Sequence, residues 1–388
     1  MPWKVSHVMN ERMGFIVRLE SGERMTDLCR EYGISRKTGY KFWERYREYG
    51  PSGLFDESRR PDRLARRLPA ELKEFIIQSK LIHPTWGAKK LRVELERARQ
   101  GVRIPTVGTI HCWLDENGLV KKRKRRRPSW SGFYCNKDAK SENPNEVWCA
   151  DFKGEFKMGS GKYCYPLTIS DHYSRYLIGC EGLDRPTYYA SRGVFEAAFR
   201  AYGLPKAIRT DNGQPFATSR GLLNLSRLSI WWLRLGIKID RTERGHPEQN
   251  GRHERMHLTL KQETTRPAGA NLLQQQERFD AFVDEYNNRR PHEALDMKCP
   301  ADIYAQSTRQ YSEELPELEY PLHDIVRVVS PGGTVPFVGK NKAFFLGSAF
   351  VGQKIGLREL KDDKWIVSFM NLNLGYVDAK NCRFETVV

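Results

Sequence analysis

Val147-Trp148-Cys149-Ala150-Asp151-Phe152 is a short apolar run with one carboxylate near its end. Ala207-Ile208-Arg209-Thr210-Asp211 repeats the plan, and Asn212-Gly213 follows at once as a turn signal. Glu254 stands three residues after Asn250-Gly251, on the first turns of an expected helix. A carboxylate at the end of a buried strand is costly to leave uncompensated, because burial disfavours its charged form. Three such groups meeting in space repel one another unless divalent cations sit between them. Two cations held about 3.5–4 Å apart can activate a nucleophilic oxygen and stabilise the leaving oxygen of a phosphodiester. Asp151, Asp211 and Glu254 therefore suit a metal-ion phosphoryl-transfer site.

Around these residues, 145 to about 310 reads as α/β. Val147–Phe152, Tyr163–Ser170 and Arg175–Glu181 have strand patterning, the last two joined by the turn Asp171-His172-Tyr173-Ser174. Thr187 to Tyr202 is an amphipathic helix stopped by Gly203. Lys206–Asp211 and Ile237–Asp240 are further strands, with a helix from Leu222 to Leu235 between them. Helices from about Glu248 to Thr264 and from Asn271 to Asn288 complete the layer. Beyond 320, five short strands separated by Gly, Asp and Asn turns suggest a small antiparallel barrel.

Ahead of the α/β region the chain is helical and basic. Residues 1–130 hold 30 Lys/Arg against 16 Asp/Glu, whereas the other 258 hold 35 against 32. The net charge of +17 is therefore an N-terminal property, and a polyanion such as double-stranded DNA is its natural partner. Residues 1–60 read as three helices, Val8–Glu20, Met25–Tyr32 with Thr26 as a candidate cap, and one capped by Ser35 that runs to Tyr49. The turn at Gly33-Ile34 has helix-turn-helix shape and offers Arg36, Lys37, Thr38 and Lys41 to a major groove. An ordinary three-helix packing module fits the same pattern. A second helical unit, helix-turn-helix or winged, spans 61–120 and places Lys89 and Lys90 at a helix start, where phosphates meet charge and backbone amides. Lys121-Lys122-Arg123-Lys124-Arg125-Arg126-Arg127 follows, seven cations that cannot enter a core and so form a linker able to track DNA.

The eight cysteines are scattered without a Cys-x-x-Cys pair, which argues against a zinc ribbon and a disulfide-stapled secreted scaffold. No stretch approaches 18 uninterrupted apolar residues, so no membrane association is expected. A reducing cytoplasm is the expected location.

Five motifs in order carry a resemblance. Cys149-Ala150-Asp151-Phe152, Asp171-His172-Tyr173-Ser174-Arg175-Tyr176, Arg209-Thr210-Asp211-Asn212-Gly213-Gln214-Pro215-Phe216, the segment His246 to Arg255, and Tyr286 to Leu295 resemble the integrase core of bacterial insertion-sequence transposases related to retroviral integrases. The resemblance covers about 145–300. It implies an RNase H-like fold and an Asp-Asp-Glu site with Asp151, Asp211 and Glu254 as ligands of two Mg2+ ions, for which Mn2+ substitutes. It also implies cleavage at transposon ends, attack of the freed 3′-hydroxyl on target DNA, at least a dimer on DNA, and a nucleoid-associated bacterial protein. The chain lacks a His-His-Cys-Cys unit at its start, so no structural zinc is carried over. The Asp211–Glu254 interval also exceeds the roughly 35 residues usual in retroviral members. The added Arg220–Leu235 segment, with Trp231 and Trp232, belongs in the core or at an interface.

The expected architecture is multi-domain. An all-α helix-turn-helix domain spans 1–60, a second helical DNA-binding domain 61–120, and a basic linker 121–144. An α/β RNase H-like core at 145–310 and a small β-barrel at 320–388 follow. Lys261, seven residues after Glu254, shares a helix face with it and reads equally as a DNA contact or a solvated lysine. Asp171 reads as a cap of its own turn, and His292 as a structural histidine at a helix end. One rival signal is literal: His253-Glu254-Arg255-Met256-His257 is an H-E-x-x-H zinc-protease signature, with Glu277 a conceivable third ligand. That reading leaves Asp151, Asp211 and the basic N-terminus unused. A non-catalytic DNA-binding regulator on the same core is the other rival, and the intact acidic triad argues against it.

Overall fold

In the computed structural model the described residues are 8–56, 68–120, 141–219, 221–242, 251–337, 342–360 and 363–386. The chain divides into two compact units, Met1–Arg67 and Leu68–Val388. No described helix is long and apolar enough to cross a membrane.

The first unit holds α1 (Val8–Glu20), α2 (Met25–Glu31) and α3 (Arg36–Tyr49) around Phe15, Ile16, Leu28, Cys29 and Leu54. Ser35 caps α3 by accepting from the Thr38 amide at 3.1 Å. Thr26 does not cap α2: Arg24 occupies the cap position, and Thr26 lies inside the helix. The α2–α3 turn is tight because Gly39 lets the helices close. A Cβ there would stand 2.6 Å from Cys29 Sγ and 2.8 Å from Met25 Sδ. Gly39→Ala is therefore expected to destabilise this unit by about 1–3 kcal/mol, the usual range for overpacking. Urea unfolding of the full chain, followed by hydrogen exchange in α1–α3, measures it; unchanged protection would refute the close approach.

The second unit opens with α4 (Ala70–Ile82), α5 (Ala88–Ala98) and α6 (Val107–Glu116), packed through Ile76, Trp86, Leu91, Leu95 and Ile110. Its main sheet contains β1 (Val147–Phe152), β2 (Phe156–Lys157), β3 (Tyr163–Asp171), β4 (Leu177–Leu183), β5 (Ala207–Thr210) and β6 (Lys238–Arg241). The strands lie in the order β4–β3–β1–β5–β6, with β2 extending the β3 ladder. The β1–β3 and β3–β4 pairs are antiparallel; β1–β5 and β5–β6 are parallel. Parallel pairs need crossovers, and α7 (Tyr188–Tyr202) and α8 (Arg227–Arg234) supply them. Each is capped by a hydroxyl, Thr187 and Ser226 respectively.

The segment expected as one helix over Leu222–Leu235 breaks. Leu223 and Asn224 take positive φ, and a fresh helix starts only after Ser226. The break lets α8 serve two cores. Trp231 and Trp232 bury into the sheet layer with Phe195, Phe199 and Phe216. Leu225 and Ile230 enter the apolar cluster of the C-terminal strands.

On the opposite flank, α9 (Gly251–Thr264) and α10 (Leu272–Asp284) pack Met256, Leu260, Phe279 and Phe282 against Cys164, Leu177 and Cys180. After α10, Glu285–Arg289 continues as a π-type turn, so the expected helix to Asn288 changes pitch before its end. The outer edge of β4 is met by side-chain amides. Asn287 accepts from the Leu177 N–H and donates to its carbonyl, both at 2.8 Å. Gln276 accepts from the Gly182 N–H and donates to the Cys180 carbonyl, both at 2.9 Å.

The C-terminal strands are β7 (Ile325–Val328), β8 (Thr334–Pro336), β9 (Ala343–Phe345), β10 (Lys354–Glu359), β11 (Lys364–Phe369), β12 (Leu372–Asp378) and β13 (Phe384–Thr386). The expected barrel is not closed among the described residues. Five strands lie in the order β13–β12–β11–β10–β7, and β8–β9 is a separate hairpin. Their common interior is filled partly by Leu225 and Ile230 from outside the strands, so apolar burial does not require the end strands to meet.

Candidate active site

The parallel register explains the first two carboxylates. Val147 pairs with Ala207, Trp148 with Ile208 and Cys149 with Arg209. The same register carried two residues on sets Asp151 level with Asp211 at the carboxyl ends of neighbouring strands, where open α/β sheets place their ligands. Asp211 and Glu254 are exposed, while Asp151 is largely enclosed. Burial, then the charges of Asp211 and Glu254, push the Asp151 carboxyl up to about 7. Asp211 sits in a turn shaped to it: the Gly213 amide donates to its Oδ1 at 3.1 Å. A Cβ on Gly213 would stand 2.9 Å from Asp211 Oδ2. Asn212 ties the loop to the Thr242 carbonyl at 2.9 Å.

Glu254 lies on the first turn of α9, and the rest of that turn fixes the helix to the sheet. Arg252 donates to the His172 carbonyl at 3.2 Å. His253 and His257 point inward, each with Nε2 2.7 Å from the hydroxyl of Thr168. Thr168 is the cross-strand partner of Asp151 and donates to the Asp151 carbonyl at 3.1 Å. His253 Nδ1 lies 3.0 Å from Ser170 Oγ. Burial lowers His253 to about 3 and His257 to about 2, so both rings are neutral near pH 7.

This geometry bears on the zinc-protease pattern. The two Nε2 atoms converge on one hydroxyl, and Glu254 is exposed on the first turn of α9. Among the described residues no three His, Cys, Asp or Glu side chains, the three carboxylates included, stand at ligand spacing around one point. Asp211 and Glu254 lie near enough for their charges to act on Asp151, and hard oxygen donors suit a hard divalent cation. Asp151, raised by burial and then by the charges of Asp211 and Glu254, is the group whose charge such a cation would balance.

The other expected residues divide. Asp171 caps its turn, accepting from the Ser174 amide and hydroxyl at 2.8 and 2.7 Å, and it also accepts from the Asn145 amide at 2.7 Å. His292 is buried beside Tyr286, with ring centroids 4.7 Å apart. Arg36, Lys37 and Lys41 are exposed on α3, whereas the Thr38 hydroxyl is engaged with Ser35 at 2.8 Å. Lys261 is exposed on α9. Lys121, Lys122, Arg123, Lys124, Arg125, Arg126 and Arg127 lie outside the described residues.

Lys90 is turned to the α/β layer, whereas Lys89 is exposed. Lys89 pairs with Glu293. Burial, then Arg290, lowers Lys90 to about 7. The contact continues along α5 and the turn before it. His83 Nδ1 lies 2.9 Å from Glu285, and Thr85 bonds Glu263 of α9. The buried Arg290 donates to Glu263 at 2.7 Å and to Thr85 at 3.2 Å. Sequence spacing could not reveal partners some 200 residues apart. Lys153 was also missed: it is half-buried, and burial, then Lys261, lowers its pKa, with Asp151 acting in the opposite direction. Its position two residues after Asp151 was the available signal.

Comparisons with known proteins agree with this layout. Integrase core domain families match residues 141–247 and 235–300. A helix-turn-helix domain family matches 11–62 and a homeodomain-like family matches 38–114. The chain is 28% identical over 240 residues to the insertion element IS407 uncharacterized 31.7 kDa protein of Burkholderia multivorans, covering 57% of this chain and 80% of that one. It is 28% identical over 214 residues to the insertion element IS476 uncharacterized 39.2 kDa protein of Xanthomonas euvesicatoria, covering 52% of this chain and 57% of that one. Among solved structures, the HTLV-2 integrase catalytic core domain in complex with magnesium aligns at 17% identity with a TM-score of 0.34, over 42% of this chain and 99% of that one. The chain thus carries an integrase core behind helix-turn-helix domains and is related to insertion-element proteins.

Proposed function

We propose that this integrase-core protein is a DNA transposase. It binds the ends of a mobile element, cleaves DNA to free 3′-hydroxyls, and joins them to target DNA. The observation that supports the reading is the largely buried Asp151 carboxyl near Asp211 and Glu254, pushed up to about 7 by burial first and by those two charges after it. Asp151, Asp211 and Glu254 would hold two divalent cations, Mg2+ or Mn2+. When bound, these activate the attacking oxygen and stabilise the leaving oxygen of the phosphodiester.

The chain's own groups supply the frame. The β1–β5 register holds two carboxylates level, and the α9 anchors at Arg252, His253 and His257 hold the third beside them. Lys153 and Lys261 bring positive charge to the same face, where a DNA backbone would lie. The exposed α3 residues Arg36, Lys37 and Lys41 would face the major groove. We place the functional borders near 60, 120, 144 and 310–320, and assembly on DNA as at least a dimer. Incubating the protein with Mg2+ and a duplex carrying the element's own ends, then mapping nicks and joined products, tests the reading. Absence of both products would overturn it.

One consequence follows from the raised Asp151. Its value of about 7 exceeds the unfolded carboxylate value of about 3.9. Between these values the folded chain holds the extra proton, so cation-free stability falls as pH rises toward 7. A bound cation removes that penalty at high pH, whereas at low pH it has to displace a proton first. The rise in Tm on adding Mg2+ or Mn2+ is therefore expected to be larger at pH 8 than at pH 6. Equal rises, read by calorimetry at both pH values, would take Asp151 out of the cation site.

A further inference from the structure

Beyond the end of β4 lies an aromatic and basic surface on the side of the sheet away from α9. Asp151 is level with Thr168, and Thr168 with Cys180, so β4 runs in the direction of β1 and leaves the sheet at the carboxylate end. The chain then enters α7, with Tyr188 and Tyr189 as its first residues. α8 starts at the same end, because Ser226 and Ser229 donate to the Phe216 carbonyl of the loop after Asp211, at 2.8 and 2.7 Å. The two helix starts meet: the Arg227 guanidinium of α8 lies over the Tyr188 ring, 5.6 Å from its centroid. Arg192 is fixed beside them, 5.2 Å from the Trp231 centroid and donating to the Tyr188 hydroxyl at 3.3 Å.

Tyr189 differs from its neighbours. Its ring meets Tyr188 at 69° with centroids 5.1 Å apart, and the residue is 73% exposed, so a ring face is left in water. The charge beside it is uncompensated. Among the described residues neither Arg192 nor Arg227 forms an ion pair. Glu196, one turn along from Arg192, is engaged by Arg200 and Tyr311 at 3.3 and 2.9 Å. An open aromatic face flanked by guanidinium groups matches a nucleotide, whose base stacks while its phosphates meet the cations. Base faces inside a duplex are already covered by their neighbours, so an open ring selects a base that has left the stack. We infer that Tyr189, with Arg192 and Arg227 beside it, is a binding site for one unpaired nucleotide of DNA lying across the carboxylate end of the sheet. This rests on the proposed function in placing DNA at that end. The strand would be held from both faces of the sheet, by Lys261 of α9 on one and by this surface on the other.

The test uses the full-length protein without divalent cation, so that no strand is cut, and a duplex with a short single-stranded tail containing 2-aminopurine. The expected result is quenching of the 2-aminopurine fluorescence by the parent protein, lost in Tyr189→Ala and kept in Tyr189→Trp, which restores a stacking face. Tyr189→Ala is expected to bind the tailed duplex about 10-fold more weakly, the scale of one base–aromatic stack, and a blunt duplex as the parent does. Arg227→Ala is expected to flatten the salt dependence of tail binding by about 0.7 in log K against log salt. Quenching and tailed-duplex affinity unchanged in Tyr189→Ala would overturn the site, and the transposase reading stands if the parent still nicks and joins element ends. Equal quenching of 2-aminopurine in the last pair of a blunt duplex would overturn the unpaired ligand in favour of a stacked duplex end. Tyr189-dependent quenching by a parent that yields neither nicks nor joined products would support the site and overturn the transposase reading.

Discussion

Asp151→Asn and Asp211→Asn are each expected to lower nicking and strand transfer by about 10³-fold or more while leaving affinity for element ends nearly unchanged. Cation stabilisation of the reacting oxygens is worth several kcal/mol, and each step of about 1.4 kcal/mol is tenfold in rate. The amide keeps the shape of the carboxylate but removes the charge that holds a cation. For Asp151 it also removes an ionisation that burial and two acidic neighbours already oppose. Asp151→Asn is thus expected to leave the cation-free fold as stable as the parent, or more so near pH 8, while activity is lost. Arg36, Lys37 and Lys41 of α3, proposed to read the element ends, are exposed and untouched by either substitution. Gel-based strand-transfer assays run beside end-binding titrations separate the two effects. Full cleavage by either variant would remove that residue from the site.

Replacing the seven cations of 121–127 by Ser and Gly is expected to weaken binding to every duplex alike. Each DNA phosphate that the run no longer neutralises should flatten the dependence of log K on log salt by about 0.9, or roughly 6 if all seven engage. Weakening of this kind carries no sequence preference, because phosphate contacts position and base contacts specify. Arg36→Ala or Lys37→Ala on α3 should behave differently if they read bases, lowering the preference for element ends over random duplex. Salt titrations on end-bearing and unrelated duplexes distinguish the roles. An unchanged salt slope would leave the 121–127 run as a solvated tether.

The local parts of this fold were readable from the residues because their causes are local. Val147–Phe152 is apolar with its carboxylate at the open end, and the strand forms over those residues. Ser35, Thr106 and Thr187 cap helices because a short hydroxyl side chain can reach an amide three residues on. The Asp171 turn obeys the same chemistry. What failed depended on partners distant in sequence. The neighbours of Lys89 and Lys90, Glu293 for the first and Arg290 and Glu263 for the second, come to them only in the fold. Helical spacing puts His253 and His257 on one face, but only the β1–β3 pairing shows that this face meets Thr168. The Leu222–Leu235 run is apolar on two sides because two cores share it, and periodicity alone reports that as one long helix. The barrel expected at 320–388 counted five strands where seven form, and strand count does not say whether the ends meet.

The amide clasps on β4 bear on how this chain behaves at high concentration. A bare outer strand presents alternating N–H and C=O groups that any other strand can copy, and sheets grow or aggregate from such edges. Here Asn287 and Gln276 occupy those groups at Leu177, Cys180 and Gly182. The sheet is terminated by its own helix-borne side chains on that flank, so copies of the protein cannot join there by strand addition. Any assembly that uses this flank has to be built from side-chain faces, whose geometry can be specified and reversed, and not from backbone pairing, which tends toward open-ended growth.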